Sequence, residues 1–167
     1  MHTTARPAPT ATPGPTAPPS AVRTAYALWL TAVAAGALET ALAVGRMAAD
    51  GTGSAAEIGV GLAVRLTVFT AAVLIARRMR TGTRWARITL AIGLGVLGTA
   101  SMVAQPLGYL LDGGSTAVAL QGADALDLVF GASRAVHVAA VLTAVFLMFR
   151  PAANVYFRAV RNPARAA

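Results

Sequence analysis

Residues 56–76 read AEIGVGLAVRLTVFTAAVLIA, and Arg77, Arg78, Met79 and Arg80 follow directly. Apart from Glu57 near its start, this stretch of 21 residues carries a single charge, Arg65. At a rise of about 1.5 Å per residue it is long enough to cross about 30 Å of hydrocarbon as a helix. A helix of a water-soluble bundle keeps a polar stripe, whereas the apolar residues here run round the whole circumference. The stretch predicts a membrane-spanning helix that ends on a cluster of arginines.

Three further segments of the same kind lie at about 24–45, 85–111 and 126–149. The fold class expected is all-α, a polytopic membrane protein built as a four-transmembrane-helix bundle with a disordered N-terminal tail. Residues 1–21 form the tail, which holds six of the nine prolines and nothing able to build a core. Residues 22–150 form the four-helix domain, and residues 151–167 a basic interfacial tail. Composition agrees: 56% of the 167 residues are hydrophobic and 12% charged, against about 25% charged in a soluble domain. The first segment reads as a retained helix rather than a cleaved signal. Its apolar run is too long, and a long, nearly neutral stretch precedes it.

Charge fixes the expected orientation. All 14 basic residues are arginines. Eleven lie on one side of the four segments: Arg6, Arg23, Arg77, Arg78, Arg80, Arg84, Arg87, Arg150, Arg158, Arg161 and Arg165, with no acid among them. The other side has Arg46 against Asp50, Glu57, Asp112, Asp124 and Asp127. The arginine-rich side belongs in the cytoplasm, and an even number of spans returns the C-terminus there. Arginines gathered at the edges of apolar runs fit membrane topology rather than phosphate binding. The net charge of +8 therefore implies no nucleic acid. The partners expected are membrane lipids, with other membrane proteins or further copies of the chain. Abundant alanine, glycine and arginine without lysine look like GC-rich bacterial coding, so the membrane expected is a bacterial plasma membrane.

Tyr26, Trp29, Trp85, Tyr109 and Tyr156 all fall near expected membrane surfaces, where amphipathic rings are best solvated. After Pro151, residues 152–161 fit a short helix in the inner interface, ended by Pro163. In the third segment Gly93, Gly95 and Gly98 allow close backbone approach. Pro106 removes a donor opposite the Met102 carbonyl and predicts a bend, with Gln105 placed to satisfy the local backbone.

The candidate site is a polar layer within the apolar segments: Glu39, Arg65, Gln105, Arg134 and His137. Counted from the outer helix ends, Glu39 and Gln105 lie about 9 Å deep, Arg134 about 12 Å, Arg65 about 14 Å and His137 about 16 Å. Four segments thus contribute to one layer of the outer half. An arginine near a helix centre costs about 2.5–3.5 kcal/mol on insertion scales, while each Leu, Ile, Val or Phe returns about 0.3–0.6. Arg65 therefore offsets most of what its own segment gains, and such a residue should face protein and find an anion. Glu39 is the only deep acid, with Glu57 and Asp127 as reserves at the outer ends. Asp127, Arg134 and His137 share one side of the fourth helix. Three readings stay open. Glu39 bridges one or both arginines as a structural lock. Alternatively, the positive excess receives an anionic headgroup, a carboxylate or a quinone-like carbonyl. Or Glu39 couples to protons, with the arginines working against proton exchange.

No cofactor is expected. Thiolate sites are absent for want of cysteine. His137 is the only histidine in an apolar segment, so a haem held by two histidines has no pair within the chain. The acids are too scattered for a metal cage. Ser133 lies four residues before His137, but a serine hydroxyl in a helix more often bonds its own backbone. No nucleophile–base pair marks an enzyme.

Some features recur in order: Trp29, the small residues Ala34, Ala35 and Gly36, Glu39, Arg77-Arg78, Arg84-Trp85-Ala86-Arg87, Ser133-Arg134-Ala135-Val136-His137, and Arg150-Pro151-Ala152-Ala153-Asn154. In these the chain resembles uncharacterised four-helix membrane proteins of high-GC bacteria. That resemblance implies a shared fold and carries no activity. Glu39 in the first of four helices also resembles the membrane-embedded glutamate of small multidrug transporters, which implies a proton and cation site at Glu39. The chain departs from that pattern at Arg65 and Arg134, which would repel a cationic drug. The function expected is that of a small integral membrane protein of structural, accessory or lipid-interacting type. The alternative is a small transporter using Glu39 and the arginine layer as a proton or anion site.

Overall fold

Two prolines set the start of the first helix. Pro19 is extended, with φ −62° and ψ 160°, and α1 runs from Ser20 to Ala49. It starts two residues inside the expected tail, because proline is tolerated just before a helix but not within one. The structure, a computed structural model, describes residues 17–161. The expected tail up to residue 16, and the end beyond 161 with Pro163 and Arg165, lie outside the described residues.

Capping boxes start two of the following helices. α2 (Ala55–Arg80) opens on Ser54, whose hydroxyl accepts from the Glu57 N–H while the Glu57 carboxylate accepts from the Ser54 N–H. α3 spans Arg84–Leu111, and a one-turn helix, α4 (Thr116–Gln121), follows it. α5 (Ala125–Met148) opens on the same kind of box made by Asp124 and Asp127. α6 (Pro151–Arg161) is the last element among the described residues. Every element among the described residues is a helix, and α1, α2, α3 and α5 are long and apolar enough to cross a membrane. Large apolar side chains such as Val60, Leu74, Ile92 and Phe146 stand on their outer surfaces.

The packing is uneven along the bundle. α1 and α5 are the closest pair, α2 lies against α1, and α3 rests more loosely on α2 and α5. The core gathers at the arginine-rich end around Val22, Trp29, Met79, Leu90, Met148 and Phe157. There α6 folds beneath the helices and buries Ala153, Tyr156 and Phe157. The Tyr156 hydroxyl donates to the Arg80 carbonyl at 3.0 Å. Burial pushes the Tyr156 phenol above its ordinary pKa, with Arg80 opposing, so the donor stays protonated. The turn between α2 and α3 needs Gly82, at φ +87°, because a Cβ there would stand 2.8 Å from Val160 of α6. At the opposite end the second half of α3, Thr99–Leu111, buries nothing. The C-terminal end of α1 and the N-terminal end of α5 are tied by Arg46, which bonds both Asp124 and Asp127.

Several expectations are corrected. Trp29 is 1% exposed and belongs to the core, as does Tyr156, whereas Trp85 is 54% exposed. Position along the chain fixes a ring's depth but not the side of the helix it occupies. Of Gly93, Gly95 and Gly98, Gly95 makes the close approach, 2.8 Å from a Val145 methyl for a Cβ built there, while Gly93 faces open space. The irregular backbone of α3 also lies upstream of Pro106. Residues Leu90–Gly98 are wound as a π-helix, and the helix continues through Pro106 to its end. The Thr99 hydroxyl lies 3.5 Å from the Leu94 carbonyl, at the exit from the π-helical stretch. Such insertions are frequent beside functional sites.

Candidate functional site

Two helical faces meet at the site. Gly36, Glu39 and Thr40 lie within four residues on α1, and Ser133, Arg134 and His137 do so on α5, so each trio shares a side of its helix. The Ser133 hydroxyl donates across the interface to the Ala35 carbonyl at 3.3 Å, not to its own helix as expected. Gly36 makes room: a Cβ there would sit 3.1 Å from both the His137 and Phe69 rings. This absence of a side chain lets His137 approach α1 and reach the carboxylate below.

Glu39 is buried, and its two oxygens have different neighbours. Oε1 lies 3.3 Å from His137 Nδ1, and Oε2 lies 3.7 Å from Arg134 Nε. The first is a hydrogen bond, the second an ionic contact beyond hydrogen-bond reach. The Arg134 guanidinium also stands 4.9 Å above the Phe130 ring. Glu39 therefore bridges one arginine and the histidine.

Arg65 is placed differently. Its guanidinium turns back one turn along α2 and lies 3.5 Å from the Gly61 carbonyl. That direction follows the tilt of helical side chains toward the N-terminus. Among the described residues Arg65 has no acidic partner within 4.0 Å. The two reserve acids are engaged elsewhere, Glu57 by Ser54 and Asp127 by Arg46 and its capping box. Gln105 stands apart, exposed on α3 and outside the walls of both cavities.

Those cavities adjoin one another. A polar cleft of about 320 Å³ is lined by Glu39, Thr40, Arg65, Phe130, Arg134 and His137, among others. Below it, toward the core, is an apolar chamber of about 250 Å³ with walls from Trp29, Val33, Val68, Leu94 and Val141. Phe69, Ser101, Met102 and His137 line both. The π-helical stretch contributes Leu94 and Gly98 to the chamber. Thr40 and Phe69 also border an apolar groove along the outer faces of α1 and α2. The arrangement offers one paired carboxylate, one unmatched guanidinium and an apolar recess beneath them.

Phe69, Ser101 and Met102, which carry no charge to mark them in the sequence, line the cleft together with Glu39, Arg65, Arg134 and His137. Arg87 is buried where α3 meets α6, donating to the Met148 carbonyl at 3.2 Å and to Asn154 Oδ1 at 2.8 Å. Its position inside the third apolar run, three residues before Leu90 on the same helix face, was the available signal. No protein-family model, curated protein or solved structure matches the chain.

The Gly36 contact yields a prediction. Gly36→Val places methyl groups where His137 and Phe69 now lie and is expected to destabilise the bundle by about 1–3 kcal/mol. Unfolding in mixed micelles, followed by tryptophan fluorescence, measures this. Wild-type stability would mean that α1 and α5 are not held this closely.

Proposed function

We propose that the chain spans a bacterial plasma membrane four times with both ends in the cytoplasm. There it serves, without catalysis, as an accessory, lipid-interacting protein whose outer-half cleft takes a ligand from the surrounding leaflet. The observation carrying this reading is the unequal packing of the bundle. The inner end is closed by a core and by α6, whereas the outer half keeps a cleft with a charged wall. A bundle serving only as an anchor has no need of Arg65 in such a cleft, given the cost of a charge at that depth. Orientation rests on the arginines of the α2–α3 turn and of α6, which favour the cytoplasmic face.

The absence of native cysteine makes the test direct. Single cysteines at Thr81, Ser115 and Ser101 probe the inner turn, the outer loop and the cleft. In intact cells a small charged thiol reagent is expected to label Ser115→Cys and Ser101→Cys from outside and to spare Thr81→Cys. Labelling of Thr81→Cys alone would reverse the orientation. A Ser101→Cys chain as inert as Leu74→Cys, on an outer helix surface, would close the cleft.

The contact between His137 and Glu39 favours one second reading, a small transporter using Glu39 and the arginine layer as a proton or anion site. Loss of proton-coupled flux in Glu39→Gln with assembly intact would select it.

A further inference from the structure

We propose that the cleft binds a single-chain carboxylate amphiphile, a fatty-acid anion, with its carboxylate on Arg65 and its tail in the apolar chamber beneath. This rests on reading the cleft as a site open to the outer leaflet.

The head group follows from charge. The cleft wall holds two arginines and one glutamate, so one guanidinium is left without a carboxylate to match it. Arg134 shares Glu39 with His137, and Arg65 has only a distant carbonyl of its own helix. At that depth an unmatched guanidinium calls for an anion; Glu57, Asp124 and Asp127 sit in capping boxes or on Arg46, and Asp50 and Asp112 stand at the C-terminal ends of α1 and α3. A monoanion balances the site. A planar carboxylate also fits the guanidinium fork, which donates two parallel N–H bonds.

The tail follows from the order of the cavities. The chamber continues from the polar cleft toward Trp29 and Val141, deeper in the bundle, and its walls are almost wholly apolar. Head outward and tail inward is the orientation of an outer-leaflet lipid, so such a molecule enters without inverting. The apolar groove between α1 and α2 meets the cleft at Thr40 and Phe69 and supplies a lateral approach from the leaflet. A chamber of about 250 Å³ is small for two acyl chains, which points to a single-chain amphiphile over a phospholipid.

Trp29 lines the chamber and provides the reporter. The chain has two tryptophans, and Trp85→Phe removes the exposed one. In nanodiscs of neutral lipid, a fatty acid brominated near its terminal methyl is expected to quench Trp29 saturably. The fatty alcohol of equal length, brominated likewise, should bind at least about tenfold more weakly, the worth of a charge-assisted hydrogen-bond pair. Arg65→Gln in the same background should weaken the acid by a similar factor. Phosphatidylglycerol with brominated chains, also a monoanion, should quench only in proportion to its mole fraction. Equal binding of acid and alcohol, absence of saturable quenching, or an unchanged affinity in folded Arg65→Gln would each overturn the proposal. Saturable quenching by the phospholipid at the affinity of the acid would overturn the single-chain assignment. The acid–alcohol comparison needs no change at Arg65 and so decides even if that variant fails to fold. Failure of the underlying cleft reading shows separately, as an unreactive Ser101→Cys without any ligand.

Discussion

Glu39→Gln is expected to loosen the α1–α5 pair by about 1.5–3 kcal/mol. Removing one partner of a buried ion pair in a soluble protein costs about 3–5 kcal/mol, because the other charge is left without compensation. Here the Arg134 side chain is 32% exposed toward the cleft, so water reaching it screens part of that loss. Glutamine is nearly isosteric and keeps one acceptor, which His137 Nδ1 at 3.3 Å can still use as a donor. What disappears is the charge that Arg134 faces at 3.7 Å. A double-mutant cycle of Glu39→Gln with Arg134→Gln isolates that part, and it should show a coupling of about 1 kcal/mol, within the range for residues in contact. Arg65→Gln crossed with Glu39→Gln should show almost none, since the two groups share a cavity but no contact. Unfolding in mixed micelles by tryptophan fluorescence supplies the measurement. If Glu39→Gln and Arg65→Leu both leave stability and phenotype unchanged, the polar layer is neither a lock nor a site.

The contrast between Arg134 and Arg65 shows what the amino-acid sequence displays and what it hides. Helix number and extent were legible, because apolar runs at 24–45, 56–76, 85–111 and 126–149 lie within or nearly coincide with the observed helices. Those helices run further where they end in Arg46 or Arg77–Arg80, since arginine is a good helix former and a hydropathy run marks hydrocarbon rather than helix. The fixed rise per residue gives Glu39, Arg65, Arg134 and His137 similar levels, and these four line one cleft, while Gln105 lies outside it. Rotation about the helix axis was not. A helix that is apolar all round has no stripe to declare its inner face, so the choice of Arg134 over Arg65 as the partner of Glu39 depends on packing. That choice is made by Gly36, which admits His137 and draws α5 against α1. Trp29 follows the same rule, since its place in the sequence does not say that its ring turns into the core. The π-helical stretch and α4 also lie beyond local reading. The close contact of Gly95 with Val145 depends on how α3 docks on α5, and no propensity in Leu90–Gly98 announces it.

Arg87→Ala is expected to be at least as damaging, about 3 kcal/mol, and through a different cause. Arg87 is 8% exposed and occupies the corner where α3, α5 and α6 meet. Its guanidinium lies 4.6 Å from the Phe149 ring centre and 4.7 Å from that of Phe157, a setting in which each cation–ring contact contributes about 0.5–2 kcal/mol. Its Nη1 donates to the Met148 carbonyl and to Asn154 Oδ1. The Met148 carbonyl belongs to the last turn of α5, where carbonyls lack partners within the helix. Asn154 in turn donates to the Phe149 carbonyl at 2.9 Å, so the turn into α6 is held from both sides. Alanine removes the donor and the ring contacts together and leaves a buried carbonyl unsatisfied. Lysine restores the charge but not the planar, multi-donor geometry, and should recover less than half of the loss. The decisive control is Arg84→Ala, one turn earlier on the same helix and exposed. It removes the same positive charge from the same end of the bundle and should change stability by less than about 0.5 kcal/mol. Equal losses in the two variants would make Arg87 one more orienting charge. A loss confined to Arg87 would identify the end of the bundle closed by α6 as the folded anchor that leaves the Glu39 cleft free to open.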